Sequence, residues 1–359
     1  MIGIYCPGIP PVPGGVSDHT LALARALEAE GAPPVILAER GEAARFAPMT
    51  CITGLKPGDV AAAARANGVT TLVLQYVPFL FARRGVSPAL VRGVHRMHAA
   101  GLKLAVVVHE AFVPFTRIPW LVTGGPQRLQ YRYLLRRATH VYAPLPRYAD
   151  IARRYVRAGT HVTVAPIGAT IPASTLTRAE ARARLGLGDD RVALGIFSPA
   201  ASGFAHPWIA AAAARLAGHP RVIWVRFGFG SARPLPGYPE GPNVMMIGEA
   251  SAAKVADTMR ALDIAAAPYT DGLTMRRSGA MLALAHGVPV VSSEGHLFDA
   301  NLRALADCAT DAEAFAERLA RLVDDPAERA AAARRATGYG EQASIESLAR
   351  MMIRDLGAR

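Results

Sequence analysis

Short runs of β-branched and apolar residues alternate along the chain with segments whose apolar positions recur at helical spacing. This alternation is the pattern of repeated βαβ units, in which strands covered on both faces read as nearly continuous apolar runs. In the first half it predicts strands at Ile2–Cys6, Pro34–Ala38, Thr71–Val77, Lys103–Val108, His140–Ala143 and Val162–Ala165. The first helix is expected from about Asp18 to Glu30. Leu21, Ala24 and Leu27 line one face, Ser17 or Asp18 serves as N-cap, and Gly31 is the stop. Residues 166–175 hold turn formers without a period and read as a linker. A second series follows, with strands at Val192–Phe197, Arg221–Phe227, Asn243–Ile247, Asp263–Ala267 and Val288–Ser292, then helices at Asp311–Val323, Pro326–Ala336 and about Ser344–Leu356. The expectation is two parallel-sheet α/β domains, 1–168 and 176–343, with ligands in a cleft where the carboxyl ends of the two sheets face each other.

Composition supports this picture. At 359 residues, 51% apolar and 19% charged, the chain can bury a core in each of two domains and falls outside the disordered class. The longest strongly apolar stretches, such as Leu104–Val108 and Met281–Ala285, are far shorter than the ~18 residues of a membrane span. The opening Met-Ile-Gly-Ile-Tyr-Cys lacks a basic region and a cleavage site, so no signal peptide is expected. Cys6, Cys51 and Cys308 are scattered without ligand spacing, which suggests a reduced, cytoplasmic, zinc-free protein. No Asp-x-Asp triplet or His/carboxylate cluster occurs, so no metal is expected.

Three constellations carry candidate chemistry. The loop Pro7–Asp18 ends in Gly14-Gly15 just before a helix, where backbone N–H groups can approach an anion; the plain alternative is a capped helix after an ordinary loop. His109-Glu110 ends the fourth predicted strand, and Gln75-Tyr76 ends its neighbour. Polar groups at that edge suit proton handling or contact with a substrate hydroxyl, against the alternative that His109 only caps the strand. The third is the segment Tyr269–Ser278 with Asp271-Gly272 and the Arg276-Arg277 pair, leading into a helix capped by Ser278 and closed by Gly287. Two arginines beside a helix N-terminus suit a diphosphate, against the alternative of solvated loop charges.

Gly14-Gly15-Val before a helix, Val-Val-His109-Glu110, Val164-Ala-Pro-Ile-Gly168, Ile247-Gly-Glu249 and Ala283-Leu-Ala-His-Gly-Val-Pro-Val-Val291 stand in the order found in retaining GT-B glycosyltransferases. The whole chain resembles that family, which implies two Rossmann-like domains facing across a cleft, with the closing helix, 344–359, packing back on the first. It also implies transfer of a sugar from a nucleotide-sugar to an acceptor hydroxyl with retention, the nucleotide-sugar being a substrate and no cofactor being needed. By that resemblance Gly14, Gly15, Arg276, Arg277 and Ser278 meet the phosphates. His109, Glu110 and Asp271 are the catalytic candidates, Ile247 and Glu249 border the base, and Gly272 and Arg226 complete the donor site. Asp18, Gln75 and Tyr76 face the acceptor. Two family glutamates fall on Thr274 and Leu282, and the family's Arg and Lys are missing from Phe197–His206. Asp271 and one of Arg226, Arg276 and Arg277 are the available replacements. A nucleotide-sugar epimerase on the same plan and a non-catalytic binding protein are the alternatives.

Charge adds a partner. The net charge is +12, and residues 1–175 hold 19 Lys and Arg against 8 Asp and Glu, while 176–359 hold 21 against 20. Eight arginines lie between 128 and 157 with a single acid, Asp150. On a helix Arg128, Arg132 and Arg136 form one stripe. Arg132 and Arg136 are therefore assigned to an anionic or lipid-linked acceptor, with peripheral contact at the inner face of a membrane; a solvated helix face is the alternative. Nucleic acid is not expected, because aromatic residues do not interleave with the arginines.

Overall fold

The computed structural model describes residues 1–12, 14–113, 118–165, 167–201, 203–339 and 344–357. It divides into two compact units, Met1–Thr170 with Ile345–Arg359, and Ile171–Ser344.

Among the described residues, the first unit is built on seven parallel strands: β1 (Ile2–Gly8), β2 (Val35–Arg40), β3 (Cys51–Ile52), β4 (Thr71–Tyr76), β5 (Lys103–Val108), β6 (Ala138–Ala143) and β7 (His161–Val164), in the order β3-β2-β1-β4-β5-β6-β7. The order reverses between β1 and β4, which opens the crevice typical of doubly wound sheets at their carboxyl ends. Alternation along the strands sorts the core into two layers. Tyr5, Leu37, Leu72, Leu74, Tyr76, Val106 and Val108 face one side with α2 (Val60–Ala66), α4 (Pro88–Ala99) and α5 (Ile118–Leu135). Ile4, Cys6, Ile36, Ala38, Val73, Ala105 and Val107 face the other, against α1 (Gly15–Ala29) and α13 (Ile345–Leu356). In α13 the residues Ile345, Leu348, Ala349 and Met352 are buried at helical spacing. Arg350 reaches Glu30 at 2.8 Å, and the Tyr142 hydroxyl donates to Asp355 at 3.4 Å.

The second unit holds a six-stranded parallel sheet among the described residues: β8 (Val192–Phe197), β9 (Val222–Phe227), β10 (Val244–Gly248), β11 (Ile264–Ala267), β12 (Val290–Ser293) and β13 (Asp307–Ala309), ordered β10-β9-β8-β11-β12-β13. Its helices start as their sequences dictate. Thr177 and Glu180 form a capping box at α7 (Arg178–Leu185), and Asp311 and Asp325 cap α11 (Ala312–Asp324) and α12 (Pro326–Ala336). Arg182, 3% exposed, ties the lower edge of this unit together. It donates to the Asp263 carboxylate at 2.9 Å and to the carbonyls of Ala261, Gly188 and Arg191.

Two strands, β3 and β13, are absent from the sequence expectation, and the remaining helices of the structure, α3 (Pro78–Phe81), α6 (Pro146–Arg153), α8 (His206–Arg215), α9 (Ala252–Ala261) and α10 (Ser278–Ala285), fill the gaps between strands. Pro13 of the glycine loop, Pro166 of the expected linker and Ser202 of the segment after β8 lie outside the described residues. Among those described, no helix is long and apolar enough to cross a membrane.

Candidate functional site

In the first unit the candidates gather at the carboxyl ends of β1, β4 and β5. Helix α1 begins at Gly15 with Gly14 as N-cap, three residues before the expected start. Gly14 has φ 149° and no side-chain cap is made. Neither Ser17 nor Asp18 caps this helix; both lie in its first turn, Asp18 exposed and Ser17 buried. The Gly-Gly step turns the chain directly into the helix, so its first N–H groups carry no side-chain cap.

Gln75 and Tyr76 take opposite faces, because adjacent strand residues must. Gln75 is fully buried on the α1 side. Tyr76 is fully buried on the other side, where its ring stacks on Phe81, tilts against Tyr131 and its hydroxyl accepts from Gln130 Nε2 at 3.2 Å. Burial pushes its hydroxyl pKa well above the ordinary value. The structure thus corrects the placement of Tyr76 toward an acceptor: it is an aromatic core residue. His109 follows β5 on the Gln75 face and is 6% exposed. Its Nε2 lies 2.6 Å from Gln75 Oε1. Because Oε1 only accepts, Nε2 carries the proton. Glu110 beside it is half-buried.

The residue that sequence reasoning missed is His19. It is fully buried in α1, and its ring meets that of His109 edge-on, centroids 4.9 Å apart at 81°. Desolvation lowers its pKa to about 4, with Gln75 acting in the opposite direction. Its position four and eight residues before Leu23 and Leu27, on the buried face of α1, was the available signal.

Arg132 on α5 and Arg136 just past its end are exposed, together with Val122 and Leu129 at 74% and 69%. Arg128 does not join them: its guanidinium lies 4.2 Å from the Phe112 ring and donates to the carbonyls of Gly124 and Val113.

In the second unit the candidates follow β8, β9, β10 and β11. Helix α10 starts at Ser278 with Arg277 as N-cap and no side-chain cap, so Ser278 is its first helical residue and not the expected cap. Arg277 pairs with Asp271 through Nη2 and lies 4.3 Å over the Tyr269 ring. Asp271 is therefore held as the counter-ion of Arg277. Arg276 is half-buried, its N–H 3.4 Å from Thr274 Oγ1. Gly272 has φ 94°, and a Cβ there would stand 2.6 Å from the Gly295 nitrogen, so this loop closes only with glycine. A Cβ on Gly203 would stand 2.9 Å from Arg277 Nη2, the movable end of a long side chain.

Arg226 is 3% exposed; its Nη2 donates to the Arg233 carbonyl at 2.7 Å, its guanidinium lies 5.1 Å from the Tyr238 ring, and burial lowers its pKa. Its charge is spent on holding the 228–238 segment, which weakens it as a replacement phosphate ligand. Ile247 is half-buried on the edge strand β10 and Glu249 is exposed just beyond it. Thr274 and Leu282, at the positions of the two family glutamates, are each 2% exposed. Among the described residues no group of three or more His, Cys, Asp or Glu could hold a metal ion.

Two Rossmann-like units on parallel sheets of seven and six strands define the GT-B class of fold. Solved structures that share it include GT-B glycosyltransferases. Sucrose-phosphate synthase from Thermosynechococcus elongatus is similar with a TM-score of 0.64 at 17% identity, covering 99% of both chains. HepE of Anabaena, in complex with UDP-glucose, is similar with a TM-score of 0.66 at 16% identity over 100% of this chain and 99% of its own. A UDP-N-acetylglucosamine 2-epimerase is similar at 0.58 and 10% identity over 100% and 97%. No protein-family model matches the chain, and no curated protein matches it.

Proposed function

We propose that the protein is a glycosyltransferase that moves a sugar from a nucleotide-sugar to an acceptor hydroxyl with retention and without a metal. The observation that carries this reading is the pair Arg276 and Arg277 at the uncapped start of α10, in a fold that HepE uses with UDP-glucose. Negative charge builds on the leaving diphosphate, and cations and helix N–H groups beside it stabilise that charge, Arg277 exchanging Asp271 for the phosphate. The second unit binds the nucleotide-sugar, and UDP-linked sugars are the first donors to test. In the first unit, His109 contacts a sugar hydroxyl with Glu110 beside it, and the acceptor binds near Asp18 and Gln75.

A second reading is supported by the epimerase fold likeness: interconversion of nucleotide-sugars. A panel of nucleotide-sugars incubated with the chain separates the two. Release of nucleoside diphosphate and free or transferred sugar supports transfer, a new nucleotide-sugar supports epimerisation, and binding without either product points to a non-catalytic protein.

We further propose a cytoplasmic enzyme with an anionic or lipid-linked acceptor and peripheral membrane contact, the last two supported by the exposed face of α5. Val122 and Leu129 can enter the interface while Arg132 and Arg136 meet anionic headgroups, each adding about 1 kcal/mol. Co-sedimentation with anionic vesicles should fall for Arg132→Glu and Arg136→Glu and at high salt. Equal sedimentation of parent and variants would reduce the stripe to a solvated face.

A further inference from the structure

Away from the candidate donor site, the second unit holds an arginine-lined cleft of about 320 Å³. Asp263 and Pro289, which border it, immediately precede β11 and β12, so it opens at the amino ends of these strands. Arg276 and Arg277 lie beyond their carboxyl ends. Three arginines line the cleft from three elements: Arg178 at the start of α7, Arg260 in the last turn of α9 and Arg329 near the start of α12. Leu262 and Val288 add an apolar wall.

Asp263 is the acid among the described lining residues, and both of its oxygens are engaged. Oδ1 accepts from Arg178; Oδ2 accepts from Arg182 at 2.9 Å and from the Ala193 N–H at 2.8 Å. Arg329 Nε stands 4.0 Å from Oδ1, and Arg260 meets no carboxylate among the described residues. His286, which also lines the cleft, is neutral. Burial lowers its pKa, its Nδ1 donates to the Leu282 carbonyl at 2.7 Å and its Nε2 accepts from the Ser174 N–H at 2.9 Å. The described lining therefore carries three positive charges against one negative.

The contacts that hold the arginines leave donors over, since each guanidinium has five N–H groups. Arg260 donates through Nε and Nη1 to the carbonyls of Leu176 and His286, and Arg329 through Nη1 to those of Leu322 and Val323. Nη2 of both, and Nη1 of Arg178, have no partner among the described residues. A concave surface with excess charge of one sign gathers counter-ions. Three forks from separate elements match a tetrahedral anion with three free oxygens better than a carboxylate with two. The volume is at the lower end of the ~300–1,000 Å³ of small-molecule pockets, which leaves room for a short carbon body against the apolar wall.

We infer that this cleft binds a phosphate dianion, free or as the monoester of a small metabolite, with Arg178, Arg260 and Arg329 as its ligands. The site stands apart from the nucleotide-sugar reading and needs no turnover to be seen.

The experiment titrates the full chain with inorganic phosphate and, separately, with glycerol 3-phosphate, followed by calorimetry at constant ionic strength. A saturable binding event in the millimolar range or tighter is expected, and the tighter probe tells the free ion from the ester. Arg178→Gln and Arg329→Gln should each weaken that event about tenfold, the lower end for a charge-assisted contact at a partly exposed site. Ala330→Glu, at an exposed lining position that makes none of these contacts, should abolish it, and Arg277→Ala should leave it in place. Where an arginine variant does not fold, Ala330→Glu decides. Absence of saturable binding by the parent overturns the proposal. So does a parent in which every binding event survives Ala330→Glu, or in which all binding is lost in Arg277→Ala.

Discussion

The ion pair of Arg277 and Asp271 sets up a test of the proposed diphosphate site in which two neighbouring substitutions have opposite signs. Arg277 sits at the N-cap of α10, 17% exposed, with its guanidinium engaged by Asp271, 25% exposed. A diphosphate arriving there must exchange one anionic partner for another, and until it does so the carboxylate repels it. A hydrogen bond to a charged group is worth about 1.5–3 kcal/mol. Arg277→Ala removes that contact and leaves Asp271 uncompensated, so nucleoside diphosphate affinity should fall roughly 10- to 150-fold. Asp271→Asn removes both the competitor and the repulsion, so affinity should rise; partial exposure of the pair favours the lower end, about tenfold. Isothermal titration with UDP, at two salt concentrations, reads both changes directly. Unchanged affinity in both variants would place the phosphates elsewhere. Weaker binding by Asp271→Asn would show that the carboxylate orients Arg277 for the ligand, and the competition argument would be refuted.

Three further outcomes are expected. His109→Ala should lower turnover roughly 10²- to 10⁴-fold, while the unpaired Gln75 costs about 1–3 kcal/mol of stability; a collapse in stability with full activity in the surviving protein would mean that His109 only caps β5. Arg182→Met strands three carbonyls and leaves Asp263 with Arg178 and the Ala193 N–H as its remaining partners, so the second unit should lose about 1–3 kcal/mol, followed by urea unfolding through Trp208 and Trp224, both in that unit; an unchanged stability would contradict the assigned role. His19 titrates at about 4 in the folded chain against an ordinary 6.5, so the unfolded state binds its proton first. Its contribution is complete above pH 6.5, and about 3 kcal/mol is lost as pH falls to 4. His19→Phe should flatten that part of the stability profile, and an identical slope in the variant would show that the imidazole is not buried neutral.

The sheets were legible in the sequence because strands covered on both faces are apolar at every position: Leu104–Val108 and Val192–Phe197 announce themselves without any knowledge of their neighbours. Strands β3 and β13, two and three residues long, are too short to carry a period. The start of α1 was misplaced because Ser17 and Asp18 are good caps by type, whereas the turn is made by Gly14 with its positive φ. Tyr76 was placed beside Gln75 because end-of-strand position is visible in one dimension and facing is not. The pairing of Arg277 with Asp271 lies in a loop, where no period relates one residue to another. His19 needed the structure too, since only the contact with His109 distinguishes it from a histidine that fills space.

The return of α13 to the first unit has a consequence for biosynthesis. Leu23, Leu27, Ile4 and Ile36 share a layer with Leu348 and Met352, so that layer cannot close until the last helix has been made. At about 5–20 residues per second, the intervening residues 171–344 take roughly 9 to 35 s to leave the ribosome. Throughout that interval the second unit has all of its own sequence or is acquiring it, while the first waits with one apolar layer open. The order of completion is therefore inverted with respect to the order of synthesis: the middle of the chain finishes folding before its beginning does, and a nascent chain stalled short of residue 345 presents that open layer to chaperones and to other copies of itself.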